Sequence, residues 1–206
     1  MLTRLKQKVQ AMLAAEAKAA HRVRLTPNRI SVIGIILAFV SGFAYAAWQS
    51  NTLFLLLAVF LLLLSGFCDL LDGVVARLFQ ETTIFGGFLD SMLDRYADAA
   101  IYTGIIISKL CDPLWGLIAM AGSLLVSYSR ARAEAASIKM ESIGLAERAE
   151  RIIILALAST IAYFWQTQQI MNASMILLAI LSNLTVLQRS LYVHKRLKKQ
   201  EINQVS

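Results

Sequence analysis

Four aspartates carry the chemistry that this chain can offer. Asp69 and Asp72 are three residues apart, and Asp90 and Asp94 are four apart. On helices each pair occupies one face, and a short turn between the helices makes them antiparallel neighbours, so four carboxylates can converge. Their surroundings are apolar, and a carboxylate inside a membrane costs roughly 2.5 to 3.5 kcal/mol on insertion scales. The two nearby arginines, Arg77 and Arg95, cannot balance all four. A divalent cation can. A carboxylate cluster with no close histidine or cysteine suits a hard, oxygen-seeking ion, Mg²⁺ first and Mn²⁺ next, rather than zinc.

These side chains need elements to position them. Hydrophobic residues make up 58% of the 206, in blocks too long for a water-soluble domain. Six blocks are expected to span a membrane: Ile30 to Trp48, Leu53 to Ala76, Phe85 to Ser108, Pro113 to Ala133, Ile152 to Trp165 and Met171 to Tyr192. The fifth is the shortest. The expected fold is therefore all-α and integral to the membrane, with six transmembrane helices preceded by an N-terminal cytoplasmic amphipathic interfacial helix. With no internal repeat or linker, residues 1–206 read as one domain: an amphipathic helix over 1–25, a six-helix bundle over 26–195 and a basic cytoplasmic tail over 196–206.

The net charge of +7 raises nucleic acid as a partner, but the basic residues flank apolar blocks and form no nucleic-acid-binding motif. Membrane lipids explain them better. On one side of the six spans the loops hold only Lys109. By the positive-inside rule both termini and the aspartates then face the cytoplasm, in a multi-pass protein of the cell membrane. Trp48, Trp115 and Trp165 fall near the opposite ends, where an aromatic belt is expected. Ahead of the first span, Leu2, Leu5, Val9 and Met12 recur at helical spacing while Arg4, Lys6 and Lys8 take other faces. That pattern reads as a helix lying on the cytoplasmic leaflet, with a frayed tail as the alternative. No compact apolar region leads to a cleavage site, so a cleaved signal peptide is not expected. Cys68 and Cys111 read as packing residues, and His21 and His194 as interfacial ones.

The pattern D-x2-D-G-x2-A-R-x8-G-x3-D-x3-D, filled by Asp69, Asp72, Gly73, Ala76, Arg77, Gly86, Asp90 and Asp94, resembles the signature of the CDP-alcohol phosphotransferase family at all eight positions. The Pro27-Asn28 pair and the six spans resemble the family as well. The resemblance implies a metal-dependent enzyme that moves the phosphate-bearing group of a CDP-lipid onto a second alcohol and releases CMP. It implies two ions, with Asp69, Asp72 and Asp90 as metal ligands and Asp94 as a general base that also borders the metals. Asn28, Asp69, Gly73, Ala76, Arg77, Thr83 and Gly86 would line the CDP site, and a homodimer is the implied assembly. Gln80 departs from the family, many members of which carry glycine there. Read by themselves, Gly73, Gly86 and Gly87 serve either helix packing or the approach of a ligand. Asp98, one turn beyond Asp94, is expected either to support it, the favoured reading, or to pair with a neighbouring helix.

A second basic stretch, YSRARAEAASIKMESIGLAERAER, holds Arg130, Arg132, Arg148 and Arg151. It reads either as a solvated cytoplasmic loop or as a phosphate pocket. Arg148 and Arg151 share a helix face, as two ligands of one phosphate would, and Arg189 sits in an otherwise apolar span. The Y-x-R-A-R-A-E and G-L-A-E-R-A-E-R runs resemble the branch of the family that uses inositol phosphate, the phosphatidylinositol phosphate and archaetidylinositol phosphate synthases. By that resemblance Arg130, Arg148, Arg151 and Arg189 bind the phosphate of a phosphorylated polyol acceptor, and Glu134, Glu147 and Glu150 balance the charge. Glycerol 3-phosphate is the alternative acceptor. A small cation transporter is the reading from a different class, since intramembrane aspartates also mark ion pathways. It would not need the Gly73, Ala76 and Arg77 spacing.

Overall fold

The computed structural model describes residues 12–140 and 143–205, with side chains through Lys198. Leu2, Leu5 and Val9 lie outside the described residues. Among the described residues there are seven helices and no strand. The chain divides into two compact units, one ending at Ser108 and one beginning at Lys109.

The first unit holds α1 (Ala14–Arg22), α2 (Pro27–Ala47), α3 (Leu53–Leu78) and α4 (Ile84–Ile107). Pro27 opens α2, where its missing N–H is no loss, and the Thr83 hydroxyl caps α4 by accepting from the Gly86 N–H at 2.9 Å. The central helix is α2, which packs on both α3 and α4. Its contacts are those of a helix in lipid. Buried Ser41 and Ser65 donate to the carbonyls of Ala58 and Gly34, each at 2.8 Å, while Phe39, Phe43 and Phe60 are exposed. Without a hydrophobic drive between helices in lipid, close packing and such bonds hold them together. Gly42 and Gly104 permit the closest approach: a Cβ on Gly104 would lie 2.1 Å from the Gly42 carbonyl oxygen.

Helix α1 buries Ala17 and Ala20 in a cluster with Ile30, Cys68, Val74 and Val75. His21 stacks on Phe79 with ring centroids 3.7 Å apart, and its Nε2 lies 3.3 Å from Glu81 Oε1. The residue expected to be interfacial is thus held by the end of α3, because its ring offers a flat face as well as a polar edge.

In the second unit α5 (Pro113–Ala135), α6 (Arg148–Trp165) and α7 (Gln169–Val205) repeat the plan, with α7 packed on both α5 and α6. Asp112 caps α5 by accepting from the Leu114 N–H at 2.9 Å. Beside it, burial pushes the Cys111 thiol up to about 11, with the Asp112 charge adding to the effect, so the thiol stays protonated and inert. Helix α7 runs for 37 residues, about 55 Å at 1.5 Å per residue. Residues 196–205, read as a tail, continue it because no glycine or proline interrupts the run.

Helices α2 and α3 and the Gln169–Lys198 part of α7 are long and apolar enough to cross a membrane. The chain is an all-α membrane protein. The remaining long helices, α4, α5 and α6, have 24, 23 and 18 residues and carry charged side chains within them.

The close passage of α2 and α4 makes a contrast that thermal unfolding in detergent can read. Gly104→Ala should cost about 1 to 3 kcal/mol of stability by overpacking, whereas Gly87→Ala, a helical position with nothing within 4 Å of its added Cβ, should hold or slightly raise the melting temperature, a gain of up to about 1 kcal/mol.

Candidate active site

The three-residue spacing on α3 and the short turn to α4 bring three of the four carboxylates together. Asp69 and Asp72 from α3 and Asp90 from α4 each present an oxygen, and these oxygens lie within 4.8 Å of one another. Asp72 is buried and the other two are half-buried. The trio fits a divalent cation: the donors are all oxygens, and Mg²⁺ with bonds of about 2.0 to 2.1 Å bridges oxygens about 4 Å apart across its octahedron. Asp94 lies one turn on and outside this trio, half-buried, with its Oδ2 3.6 Å from Arg95 Nη1. Asp98, a turn further, is buried.

Ser31 completes the group, and nothing in the sequence singled it out. Its hydroxyl donates to Asp72 Oδ2 at 2.5 Å and lies 3.1 Å from the Pro27 carbonyl oxygen. The bond fixes which way the Asp72 carboxylate turns. Partners of this kind orient ligands and tune a metal site.

The residues assigned to CDP by resemblance lie on α2 and α3 and at the start of α4, the helices that carry the trio and its Ser31 partner. A Cβ on Gly86 would meet Thr83 Oγ1 at 2.9 Å and Asn28 Oδ1 at 3.2 Å, so Asn28, Thr83 and Gly86 line one small space. Arg77 folds back so that both terminal nitrogens would be 3.3 Å from a Cβ on Gly73. The Ala76 carbonyl accepts from the Glu81 N–H at 2.9 Å and closes the turn between α3 and α4. Gln80 takes the left-handed conformation there, with φ of 58°. The turn thus keeps the geometry that glycine favours although the residue is not glycine.

The arginines lie in the second unit. Arg189 is buried in α7; its Nε donates to the Ile143 carbonyl at 2.7 Å, its Nη1 to the Val126 carbonyl at 2.6 Å, and its Nη2 lies 3.6 Å from Glu147. Arg151 is also buried and donates to the Ala146 carbonyl at 3.0 Å. Arg130 and Arg151 both lie within electrostatic reach of Arg189. Arg130 is exposed and pairs with Glu134 at 2.8 Å, while Arg148 is half-buried in the first turn of α6. The loop that these groups share is clasped by Thr185, whose hydroxyl accepts from the N–H groups of Leu145 and Ala146 at 3.1 and 3.2 Å. Gly144 is required there: its φ is +136°, and an added Cβ would lie 2.4 Å from Thr185 Cγ2.

A family model described as CDP-alcohol phosphatidyltransferase matches residues 24–187. The archaetidylinositol phosphate synthase of Methanothermobacter thermautotrophicus is 44% identical over 179 residues, covering 87% of this chain and 88% of that protein. The synthase of the same name from Pyrococcus horikoshii is 36% identical, covering 96% and 99%. Among solved structures, Mycobacterium tuberculosis phosphatidylinositol phosphate synthase with CDP-DAG bound is similar at a TM-score of 0.74 and 28% identity, covering 87% of this chain and 92% of that one. The same enzyme in complex with manganese and citrate is similar at 0.75 and 27%, covering 87% of each.

The Ser31 to Asp72 bond makes a direct prediction. Ser31→Ala should weaken Mn²⁺ binding about 10- to 100-fold, the usual effect of losing a group that orients a ligand, in a titration that follows the free ion by electron paramagnetic resonance. Ser31→Thr, which keeps the hydroxyl, should retain most of the affinity.

Proposed function

Because the chain belongs to the CDP-alcohol phosphatidyltransferase family, and is a CDP-alcohol phosphotransferase of phospholipid synthesis, we propose that it transfers the phosphate-linked lipid of CDP-diacylglycerol or CDP-archaeol to a hydroxyl of inositol phosphate, with release of CMP. The observation that carries this reading is the convergence of Asp69, Asp72 and Asp90 inside the matched region. The manganese complex of the similar mycobacterial enzyme supports use of a divalent metal. Here Asp69, Asp72, Asp90 and Asp94 would hold two ions, Mg²⁺ or Mn²⁺. When bound, such a pair neutralises the diphosphate and the departing CMP.

The chain's own residues then divide the work. Asn28, Thr83 and Gly86 at the head of α4, with Gly73, Ala76 and Arg77 along α3, hold the CDP group. Asp94 accepts the proton of the acceptor hydroxyl. The freed oxygen attacks the phosphorus that bears the lipid, the bond from that phosphorus to the CMP oxygen breaks, and CMP leaves with the electron pair. Arg130, Arg148, Arg151 and Arg189 bind the acceptor phosphate. The 44% identity to an archaetidylinositol phosphate synthase supports inositol phosphate over glycerol 3-phosphate.

The proposed setting is the cytoplasmic membrane. Six spans follow if α4, α5 and α6 also cross, since even the 18 residues of α6 reach about 27 Å. The distribution of lysine and arginine supports cytoplasmic termini and a cytoplasmic site. Buried Ala17 and Ala20 opposite exposed Lys18 and Arg22 support an amphipathic α1 at the interface. The family match runs unbroken past Ser108, which supports one catalytic domain over 1–206. We read the assembly as a homodimer by family resemblance.

Two measurements test the proposal. Purified protein given CDP-lipid and radiolabelled acceptors should make lipid product from inositol phosphate; product from glycerol 3-phosphate alone would overturn the acceptor assignment. Asp94→Asn should lower transfer about 10²- to 10⁴-fold, the range for a lost general base, while CDP-lipid still binds. Retained turnover would remove Asp94 from that role.

A further inference from the structure

A second basic site lies in the second unit, apart from the residues assigned to catalysis. Helix α5 ends at Ala135, and the chain turns back through Ser137, which is left-handed with φ of 60°. The Ile138 N–H returns to the Ala133 carbonyl at 2.9 Å and closes the helix end. From there the chain alternates. Ile138 and Met140 are buried against Ala133, with Tyr192 and Val193 of α7 packed on them, whereas Ser137 and Lys139 are exposed. Anchoring Ile138 and Met140 leaves the Ser137 and Lys139 side chains exposed between them. With Ile138, Tyr192 and Arg196 they line a cavity of about 250 Å³.

Arg196 is braced for this position. Its Nε donates to the Tyr192 hydroxyl at 3.0 Å, and its guanidinium carbon lies 5.1 Å from the Tyr192 ring centroid. Because the phenol oxygen accepts from Arg196, its own proton points away from the arginine and remains a donor for another group. The cavity thus gathers an ammonium, a guanidinium and two hydroxyls. No carboxylate lines it among the described residues, and the acid in the last turn of α5, Glu134, is engaged by Arg130.

We propose that Ser137, Lys139, Tyr192 and Arg196 form a phosphate-binding pocket distinct from the arginines assigned to the acceptor. A phosphomonoester or phosphodiester oxygen accepts from each of the four groups, and the charge-assisted bonds to Lys139 and Arg196 supply most of the attraction. Arg196 follows Arg189 by seven residues, which places it on the same face of α7 about 10 Å further along. The pocket is thereby an outer station for a phosphate that Arg189 later holds. The pocket stands on its own residues; only that service rests on the proposed acceptor. The same chemistry is presented by a soluble sugar phosphate and by the headgroup of an anionic lipid.

Acetylation of Lys139, followed by mass spectrometry on the full chain in nanodiscs, tests the pocket without requiring turnover. In phosphatidylcholine discs, inositol phosphate should slow labelling of Lys139 about tenfold relative to chloride at equal ionic strength, as expected for a charge-assisted contact, and Arg196→Gln should abolish the protection. Protection by phosphatidylglycerol discs alone keeps the pocket and identifies the lipid headgroup as its source. Unchanged labelling in both arms, or protection that survives Arg196→Gln, overturns the proposal. Failure of the inositol phosphate acceptor would instead show as absent transfer with Lys139 still protected.

Discussion

Negative charge brought together beside hydrocarbon is the constraint on which the rest of the first unit depends. Three carboxylates with oxygens within 4.8 Å repel one another, and burial of Asp72 raises the cost further. The protein brings them together because two rigid helices carry them, α3 supplying two and α4 one. The Gly42 and Gly104 contact holds α4 close to α2, while Ser41 and Ser65 tie α2 to α3. Helix α2 therefore sets the distance between the two carboxylate-bearing helices, and through Ser31 it also turns one of the carboxylates. A divalent cation answers charge of this density with all-oxygen donors, and the similar mycobacterial enzyme has been solved in complex with manganese.

The second unit solves the opposite problem, positive charge in an apolar helix bundle. Arg151 and Arg189 are buried and tied to backbone carbonyls of the loop between α5 and α6, and that loop is in turn clasped by Thr185. A guanidinium held by fixed carbonyls loses little further freedom when an anion arrives, and its fork suits the oxygens of a phosphate. A lysine would not serve as well, since its single nitrogen cannot bond two carbonyls and still present a planar edge.

The aspartate pairing was legible in the sequence because helix periodicity alone puts residues three or four apart on one face, and the two pairs flank a turn too short to separate them. The arginines stood out for a similar reason, a charge such as Arg189 being conspicuous in an apolar run. Ser31 was not legible: a lone hydroxyl one turn into an apolar helix looks like any small packing residue until α3 is laid against it. The same holds for His21, whose stacking on Phe79 joins residues far apart in the chain, and for Thr185, which meets its loop only after α5 and α7 pack. The central place of α2 and the uninterrupted run of α7 past Lys195 also depend on tertiary packing or on the absence of a stop signal, neither of which marks a particular residue.

The most direct test of the central claim is a manganese anomalous difference map from crystals grown with Mn²⁺ and CDP-lipid. The predicted result is a peak bounded by Asp69, Asp72 and Asp90, with a second reaching Asp94. An empty carboxylate trio in a preparation that still releases CMP would contradict it.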